Sequence, residues 1–301
     1  MAGRYVLLDQ VGAGATGTVW RAWDRRERRY VAAKLLGRDG VVADPLHDPV
    51  LLRFVREQAL RVRHPHVLSP TGWAAEDERV VFTMQLVRGG TLEQLLAEHG
   101  PLPSAYVAVL LEQLLEALVA VHAAGVVHRD VKPANLLLEP TGTGRPHLRL
   151  ADFGVATRLA DDVRLTTVPG WVGTAGYVAP EARTGAPPDV RHDLYAAGVT
   201  ATLALTGRRA GRATGRLAPL VASLTAEDPA DRPADAASAR AGLLQLGLTW
   251  APGEEDGGPC VPERVPEQPA PGAGLPWTRV GTGCLVAAGC CDIASVVLLL
   301  G

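Results

Sequence analysis

His128, Asp130, Lys132 and Asn135 fall within nine residues, Val127-His-Arg-Asp-Val-Lys-Pro-Ala-Asn135, between the apolar blocks Ala117–Val121 and Leu136–Leu138. Charges set between buried elements are expensive unless paired, so packing alone is a poor reason for this cluster, and a solvated loop is the plain alternative. The spacing H-R-D-x-K-x-x-N is that of a phosphoryl-transfer loop. Asp152-Phe153-Gly154 comes soon after, behind two short apolar strands expected at 136–138 and 148–150 around a Gly-rich turn. By itself that tripeptide could be a turn; directly behind this loop it belongs to the same chemistry.

A second set lies near the start. Gly12-Ala13-Gly14-Ala-Thr-Gly17-Thr-Val19 joins two strands, expected over 4–12 and 18–23. Glycines let backbone N–H groups approach phosphate oxygens, but G-x-G-x-x-G also serves dinucleotide folds and plain hairpins. A dinucleotide site needs a helix straight after the glycines. Here Thr18, Val19 and Trp20 continue as strand, which favours a glycine flap over a nucleotide. Lys34 lies among apolar neighbours in a third strand, 30–36, and an inward-facing Lys calls for an anionic partner. A helix starting at Asp48-Pro49, with Leu52, Val55, Ala59 and Val62 at helical spacing, leaves Glu57 as that partner, a solvated Glu being the alternative. His64-Pro65 ends it.

The remaining elements must position these groups. Strands are expected at 67–73 and 80–84, a hinge at 85–90, and a helix opened by the capping box Thr91-Leu-Glu-Gln94. A long helix follows over 105–124, capped by Ser104 and stopped by Gly125; Glu112, Gln113 and Glu116 argue against a membrane span. Residues 155–172 form a long, polar, Thr-bearing stretch without periodicity, closed by Ala179-Pro-Glu181. Further helices are expected at 193–205 and from Asp231-Arg232-Pro233 to about 246.

Composition agrees. A chain of 301 residues holds one large two-lobed domain or two small ones, with 47% hydrophobic residues for a core but only 5% aromatic. A net charge of −2 excludes a strong electrostatic footprint for nucleic acid. Cys260, Cys284, Cys290 and Cys291 all come late and form no C-x-x-C pair, so zinc and redox chemistry are not indicated and a reducing interior fits. The first eight residues show no apolar leader.

Together these motifs resemble the eukaryotic-like Ser/Thr protein kinases of bacteria over about Tyr5 to Leu246. The resemblance implies an α+β, two-lobed protein-kinase fold: a sheet lobe with one long helix (1–84), a hinge (85–90) and a mainly helical lobe (91–248). It implies transfer of the γ-phosphoryl group of ATP to Ser/Thr hydroxyls of proteins, with Mg2+ or Mn2+. Gly12, Ala13, Gly14, Gly17 and Val19 would cover ATP. Val19 and Ala32 would lie above the adenine and Leu137 below it, with Met84 as gatekeeper and the Gln85 and Val87 backbone at the adenine edge. Lys34, held by Glu57, would bind the α- and β-phosphates. Asn135 and Asp152 would hold the metal, Asp130 would accept the hydroxyl proton, and Lys132 would neutralise the γ-phosphate. Thr174 would support the loop and define the acceptor. Thr166 or Thr167, once phosphorylated, would pair with Arg129, and a dimer would serve trans-autophosphorylation. A pseudokinase or ATP-binding scaffold is the alternative, opposed by Lys34, Asp130, Asn135 and Asp152 occurring together.

This chain departs from the family pattern at three places. The interval from Glu57 to His64 is about two residues short, a helix expected after Thr206-Gly207-Arg208 is missing or compressed, and His192 stands where a small residue is common. Residues 249–279, rich in Pro, Gly and acidic groups, are expected to be a disordered linker. The apolar stretch 280–300 has the length of a membrane span. Asp292 opposes insertion by roughly 2.5–3.5 kcal/mol, against about 0.3–0.6 kcal/mol in favour for each large aliphatic residue. The expected arrangement is a cytoplasmic kinase domain tethered to the cell membrane through this stretch, an apolar tail packed on protein being the alternative.

Overall fold

The computed structural model describes residues 3–14, 17–36, 62–76, 79–153, 157–158, 174–250, 258–266, 277–280 and 284–287. The chain divides into two units, one built on Met1–Leu52 and Pro70–Leu86 with the tail from Glu267, the other on Arg53–Ser69 and Val87–Pro266. The expected small sheet lobe and mainly helical lobe both form. The helix carrying Glu57 lies outside the described residues.

The smaller unit is an antiparallel sheet in the order β1-β2-β3-β5-β4, with β1 Tyr5–Gly14, β2 Gly17–Asp24, β3 Arg29–Leu36, β4 Pro70–Glu76 and β5 Arg79–Gln85. Alternate side chains of these strands point to one face, where Tyr5, Leu7, Ala22, Val31, Ala33, Leu35 and Val81 form a core. Its first hairpin is tied by a two-pronged Arg4–Asp24 pair, 2.7 Å at closest. Burial alone would raise the Asp24 carboxyl, but the Arg4 guanidinium holds it below its ordinary value. β4 begins three residues later than expected. Val67 and Leu68, both nearly inaccessible, join the larger unit, where the Leu68 N–H donates to the Leu150 carbonyl at 2.8 Å. Their apolar burial there outweighs continuing the strand.

In the larger unit, α1 (Leu92–His99) starts with the expected reciprocal cap: Thr91 Oγ1 accepts from the Gln94 N–H, and Gln94 Oε1 from the Thr91 N–H. α2 (Ser104–Ala123) starts one residue earlier than expected. Pro103 is its cap, and Ser104 is already helical and makes no cap bond. Twelve of the sixteen residues of α2 from 106 to 121 are buried, including Gln113, whose amide satisfies the Pro146 carbonyl and the Leu148 N–H at 2.8 Å each. Among the described residues, α2 is the one helix long and apolar enough to cross a membrane, and two-thirds of it is buried in protein (67%). It is the central core helix.

β6 (Val126–Val127) pairs with β9 (Thr157–Arg158), and β7 (Leu136–Leu138) with β8 (Leu148–Leu150). Then come α3 (Pro180–Arg183), α4 (Val190–Thr206), α5 (Ala218–Leu224) and α6 (Ala236–Gln245). α4 starts earlier than expected, because Asp189 and His192 form a capping box. The Asp189 side chain accepts from the Arg191 N–H at 2.7 Å, and the His192 ring accepts from the Asp189 N–H. Between α4 and the 3-10 turn at Gly215–Leu217 the described backbone forms no helix, as the short sequence there requires.

Part of the stretch expected to be structureless is laid on this unit. Val261 is fully buried and exchanges backbone hydrogen bonds with Gly142 at 2.8 and 2.9 Å. Arg264 donates to the Gly89 carbonyl at 3.0 Å and pairs with Glu98 at 2.6 Å; Glu263 pairs with Arg88. A side chain at Gly89 would strike the Leu138 carbonyl and Val261, so only glycine lets the strap lie this close. Composition misled here because one buried Val and one well-paired Arg anchor an otherwise polar segment. Val261→Asp, which buries an unpaired charge, should lower stability by about 3 kcal/mol or more. Urea unfolding of the full chain checks this, and an unchanged midpoint would place the strap in solution. Further on, β10 (Trp277–Val280) pairs with β11 (Cys284–Ala287).

Candidate active site

The 127–135 loop is suspended between secondary-structure pairings, since β6 enters it and β7 leaves it. Its backbone is fixed from below by one residue of α4. Asp193 is completely buried, and its two oxygens accept from the successive N–H groups of His128 and Arg129 at 2.8 Å each. His122 Nε2 adds a third contact at 2.8 Å. Aiming both N–H groups at one carboxylate requires the bend at Arg129, whose φ of 67° is rare for a side-chain-bearing residue. Burial alone would raise the Asp193 carboxyl, but the His122 ring and the backbone N–H groups hold it below its ordinary value. In the sequence Asp193 stands only as the first residue of the helix expected over 193–205. The available signal was a lone carboxylate at the head of an apolar helix, which must be paired once buried.

His128 is also fully buried, and burial pushes its pKa down. A neutral ring fits its surroundings: Nε2 lies 3.1 Å from the Ala151 carbonyl, and Nδ1 accepts from the Asp130 N–H at 3.3 Å. Phe153 packs edge-on against the ring, centroids 4.8 Å apart. His128 thereby couples the loop to the segment carrying Asp152, which has a left-handed φ of 63° and is half-buried.

Above this support the reactive groups converge. Asp130 Oδ2 lies 2.7 Å from Lys132 Nζ and accepts from Asn135 Nδ2 at 2.9 Å, while Oδ1 accepts from the Thr174 hydroxyl at 2.8 Å. Lys132 Nζ donates to Thr174 Oγ1 at 2.5 Å. The Asn135 amide nitrogen also holds the Asp130 carbonyl at 2.8 Å, which leaves its amide oxygen as a ligand for a hard cation. Four residues predicted from sequence, Asp130, Lys132, Asn135 and Thr174, thus form one connected network. No cluster of three or more His, Cys, Asp or Glu suited to a metal is found among the described residues. Magnesium needs none, since it takes one or two protein oxygens and completes its shell with water and substrate phosphates. Asn135 and Asp152 fit that donor set.

Ala179-Pro-Glu181 is held by an ion pair that does not stand out in the sequence. The Arg232 side chain is fully buried and holds Glu181 through Nη1 and Nη2, at 2.6 and 2.8 Å, with further N–H groups on main-chain carbonyls. Burial would raise the Glu181 carboxyl, but Arg232 keeps it low. His192 is buried beside this pair, 3.4 Å from Glu181.

Lys34 in β3 is 7% exposed, as its apolar setting suggests, and lies opposite Val19 in the β2–β3 register. Ala32 is buried opposite Met84; Met84 and Val87 are half-buried and Gln85 exposed. Gly12 and Gly14 pair with Val19 and Gly17, which makes the glycine stretch a hairpin rather than a strand-to-helix turn. Ala13 lies in the same strand, and Leu137 is half-buried in β7. Glu57, Thr166 and Thr167 lie outside the described residues.

These settings fix the acid behaviour. His66, His128 and His192 all have pKa values lowered chiefly by burial, so the unfolded chain takes up protons first as pH drops below about 6.5. Asp193 and Glu181, lowered by their partners, add a second loss as pH falls through and below the ordinary carboxylate range. Both effects have the same sign: stability is fully present above pH 7 and declines on acidification, by up to about 1.4 kcal/mol per pH unit for each proton taken up. Urea midpoints at pH 5, 6, 7 and 8 test this, and a flat profile would contradict it.

The sequence matches the protein kinase domain model over residues 5–226. Similar proteins include the serine/threonine-protein kinase PkaA of Streptomyces coelicolor, 42% identical over 215 residues, 68% of this chain and 39% of that protein. PknL of Mycobacterium tuberculosis is 34% identical over 204 residues, 68% of this chain and 49% of that protein. PknA of the same species is 34% identical over 217 residues, 69% and 48% respectively. The chain therefore aligns with less than half the length of these relatives. The matched region contains the glycine hairpin, Lys34, the 127–135 loop, Asp152 and the Ala179-Pro-Glu181 closure in order, and the chain belongs to the protein kinase domain family, among the eukaryotic-like Ser/Thr kinases of bacteria.

Proposed function

We propose that this protein transfers the γ-phosphoryl group of ATP to Ser and Thr hydroxyls of proteins. The observation that carries this reading is the Asp130 carboxylate, held at once by Lys132, Asn135 and Thr174. Phosphoryl transfer depends on positioning and on neutralised charge more than on covalent help from the protein. Asp130 accepts the proton of the acceptor hydroxyl, Lys132 offsets charge on the transferring group, and Thr174 holds both in register. Asn135 and Asp152 would hold magnesium or manganese, which when bound supplies charge neutralisation at the phosphates. Lys34, with Glu57, takes the α- and β-phosphates under the 12–19 hairpin. Val19, Ala32, Met84, Leu137 and the backbone at Gln85 and Val87 receive the adenine.

Autophosphorylation at Thr166 or Thr167, in a dimer, is the regulatory part of the reading, with Arg129 as the cation that receives the phosphate. To tether the domain to the membrane from the cytoplasmic side, the stretch 280–300 would have to give up the β10–β11 hairpin, which takes up its first residues. The test is label transfer from γ-labelled ATP by the full chain, with sites mapped by mass spectrometry. Incorporation that vanishes in Asp152→Ala supports the reading; no incorporation into any Ser or Thr sinks it.

A further inference from the structure

We propose that the arginine-rich turn after α4 reads acidic residues on the C-terminal side of the acceptor hydroxyl, an inference resting on the kinase reading above. α4 ends at Gly207 with a left-handed φ of 72°, and where the family carries a further helix the chain makes a short loop. That loop holds Arg208, Arg209, Arg212 and Arg216, all exposed. No Asp or Glu occurs anywhere between Asp193 and Glu227. Among the described residues none of the four arginines has a carboxylate partner. The local sequence supplies no carboxylate to them.

The loop's position gives this charge its meaning. Arg209 donates from Nη1 to the Ala175 carbonyl at 3.2 Å, and its guanidinium lies 5.7 Å from the centre of the Tyr177 ring. A Cβ at Gly176 would come within 2.9 Å of Nη1, so this glycine makes room for the guanidinium. The neighbouring Thr174 donates to Asp130. One turn, 174–177, thus touches the proton acceptor at one end and the arginine loop at the other. A peptide whose hydroxyl faces Asp130 and whose following residues cross this turn meets Arg209, with Arg208 and Arg212 beside it in the same short loop. A guanidinium has five donors in a planar fork suited to carboxylates, and Arg209 spends one of them on Ala175. Besides Asp130, the exposed Glu93 of α1 also has a charge that reaches the turn, at Tyr177; it tempers the field without pairing the arginines. A peptide is favoured over a lipid surface because the arginine fixed in place is the one packed on the turn next to Asp130.

The experiment uses the full chain with Mg-ATP and peptides bearing one Ser or Thr in an Ala background. Glu, phosphoserine or Lys is placed singly at each of the four positions on either side. Glu at one or more following positions should raise kcat/KM roughly 5- to 30-fold over Lys, an exposed ion pair gained and the matching repulsion avoided, and the ratio should shrink with salt. Arg209→Glu and, separately, Arg212→Glu, which breaks no contact of the fold, should bring the Glu-to-Lys ratio to one or below. That reversal of a ratio is not expected from a purely structural role. Equal rates for Glu and Lys peptides overturn the inference while leaving the kinase reading intact, as does a preference confined to the preceding positions or to phosphoserine. Anionic phosphatidylserine vesicles bound through these arginines without peptide discrimination overturn it too. No transfer to any peptide or to the chain itself sinks both readings.

Discussion

Asp130→Asn should abolish nearly all phosphoryl transfer while leaving the fold intact. Asn is the same size, keeps an oxygen for the Thr174 hydroxyl, and stands where Lys132 and Asn135 already surround the group. What disappears is the negative charge and the ability to take a proton. Positioned general-base catalysis is worth about 10²- to 10⁴-fold, and kcat should fall by that much with KM for ATP little changed. The urea midpoint should fall only slightly, since the altered group is partly exposed and water can take up the contacts that the new NH₂ group, facing the Lys132 and Asn135 donors, no longer makes. Turnover within a few-fold of wild type would show that this carboxylate does not act on the hydroxyl. A large drop in stability would show instead that the network around it is structural.

The second large effect is expected one layer below the site. Asp193→Ala removes the acceptor for two backbone N–H groups and the His122 ring at a position with no access to water. Breaking a buried charged hydrogen-bond set of this kind costs about 3–5 kcal/mol, a large share of the 5–15 kcal/mol typical of a domain. The bend at Arg129 also loses the contact that enforces it, so any folded fraction should be inactive. Asp193→Asn separates the two effects. One amide oxygen remains to accept one N–H while the NH₂ group confronts the other, so stability should fall by less and activity should still be lost, because Asp130 is carried by that backbone. Activity that tracks only the folded fraction in both variants would mean that Asp193 supports the fold alone. Full activity in Asp193→Asn would mean that it does not position the loop.

The chemistry-bearing residues were legible for a definite reason. Asp130, Lys132 and Asn135 lie within six residues, so local backbone geometry brings them together, and Asp152 is separated from them by a single hairpin. Lys34 was readable because strand alternation assigns it a face. The supports were harder to read, because Asp193 reaches the loop from about 65 residues away and Arg232 reaches Glu181 across 51. Each looks in sequence like an ordinary helix-end or turn residue. The strap at 258–266 was misread for the opposite reason: its composition is that of a linker, and only the Gly89 surface and the Glu98 carboxylate make it dock.

From its sequence alone this chain was committed to a glycine hairpin, an inward lysine and a loop of charged groups between apolar elements, hence to phosphoryl-transfer chemistry. Short-range spacing determines those features, and it needs no knowledge of the fold. The tertiary structure decided which buried carboxylate bends the loop, which ion pair holds Glu181, and which arginine packs on the 174–177 turn. Those are pairings between distant residues, and a charge shows its partner only once burial has removed water as the alternative.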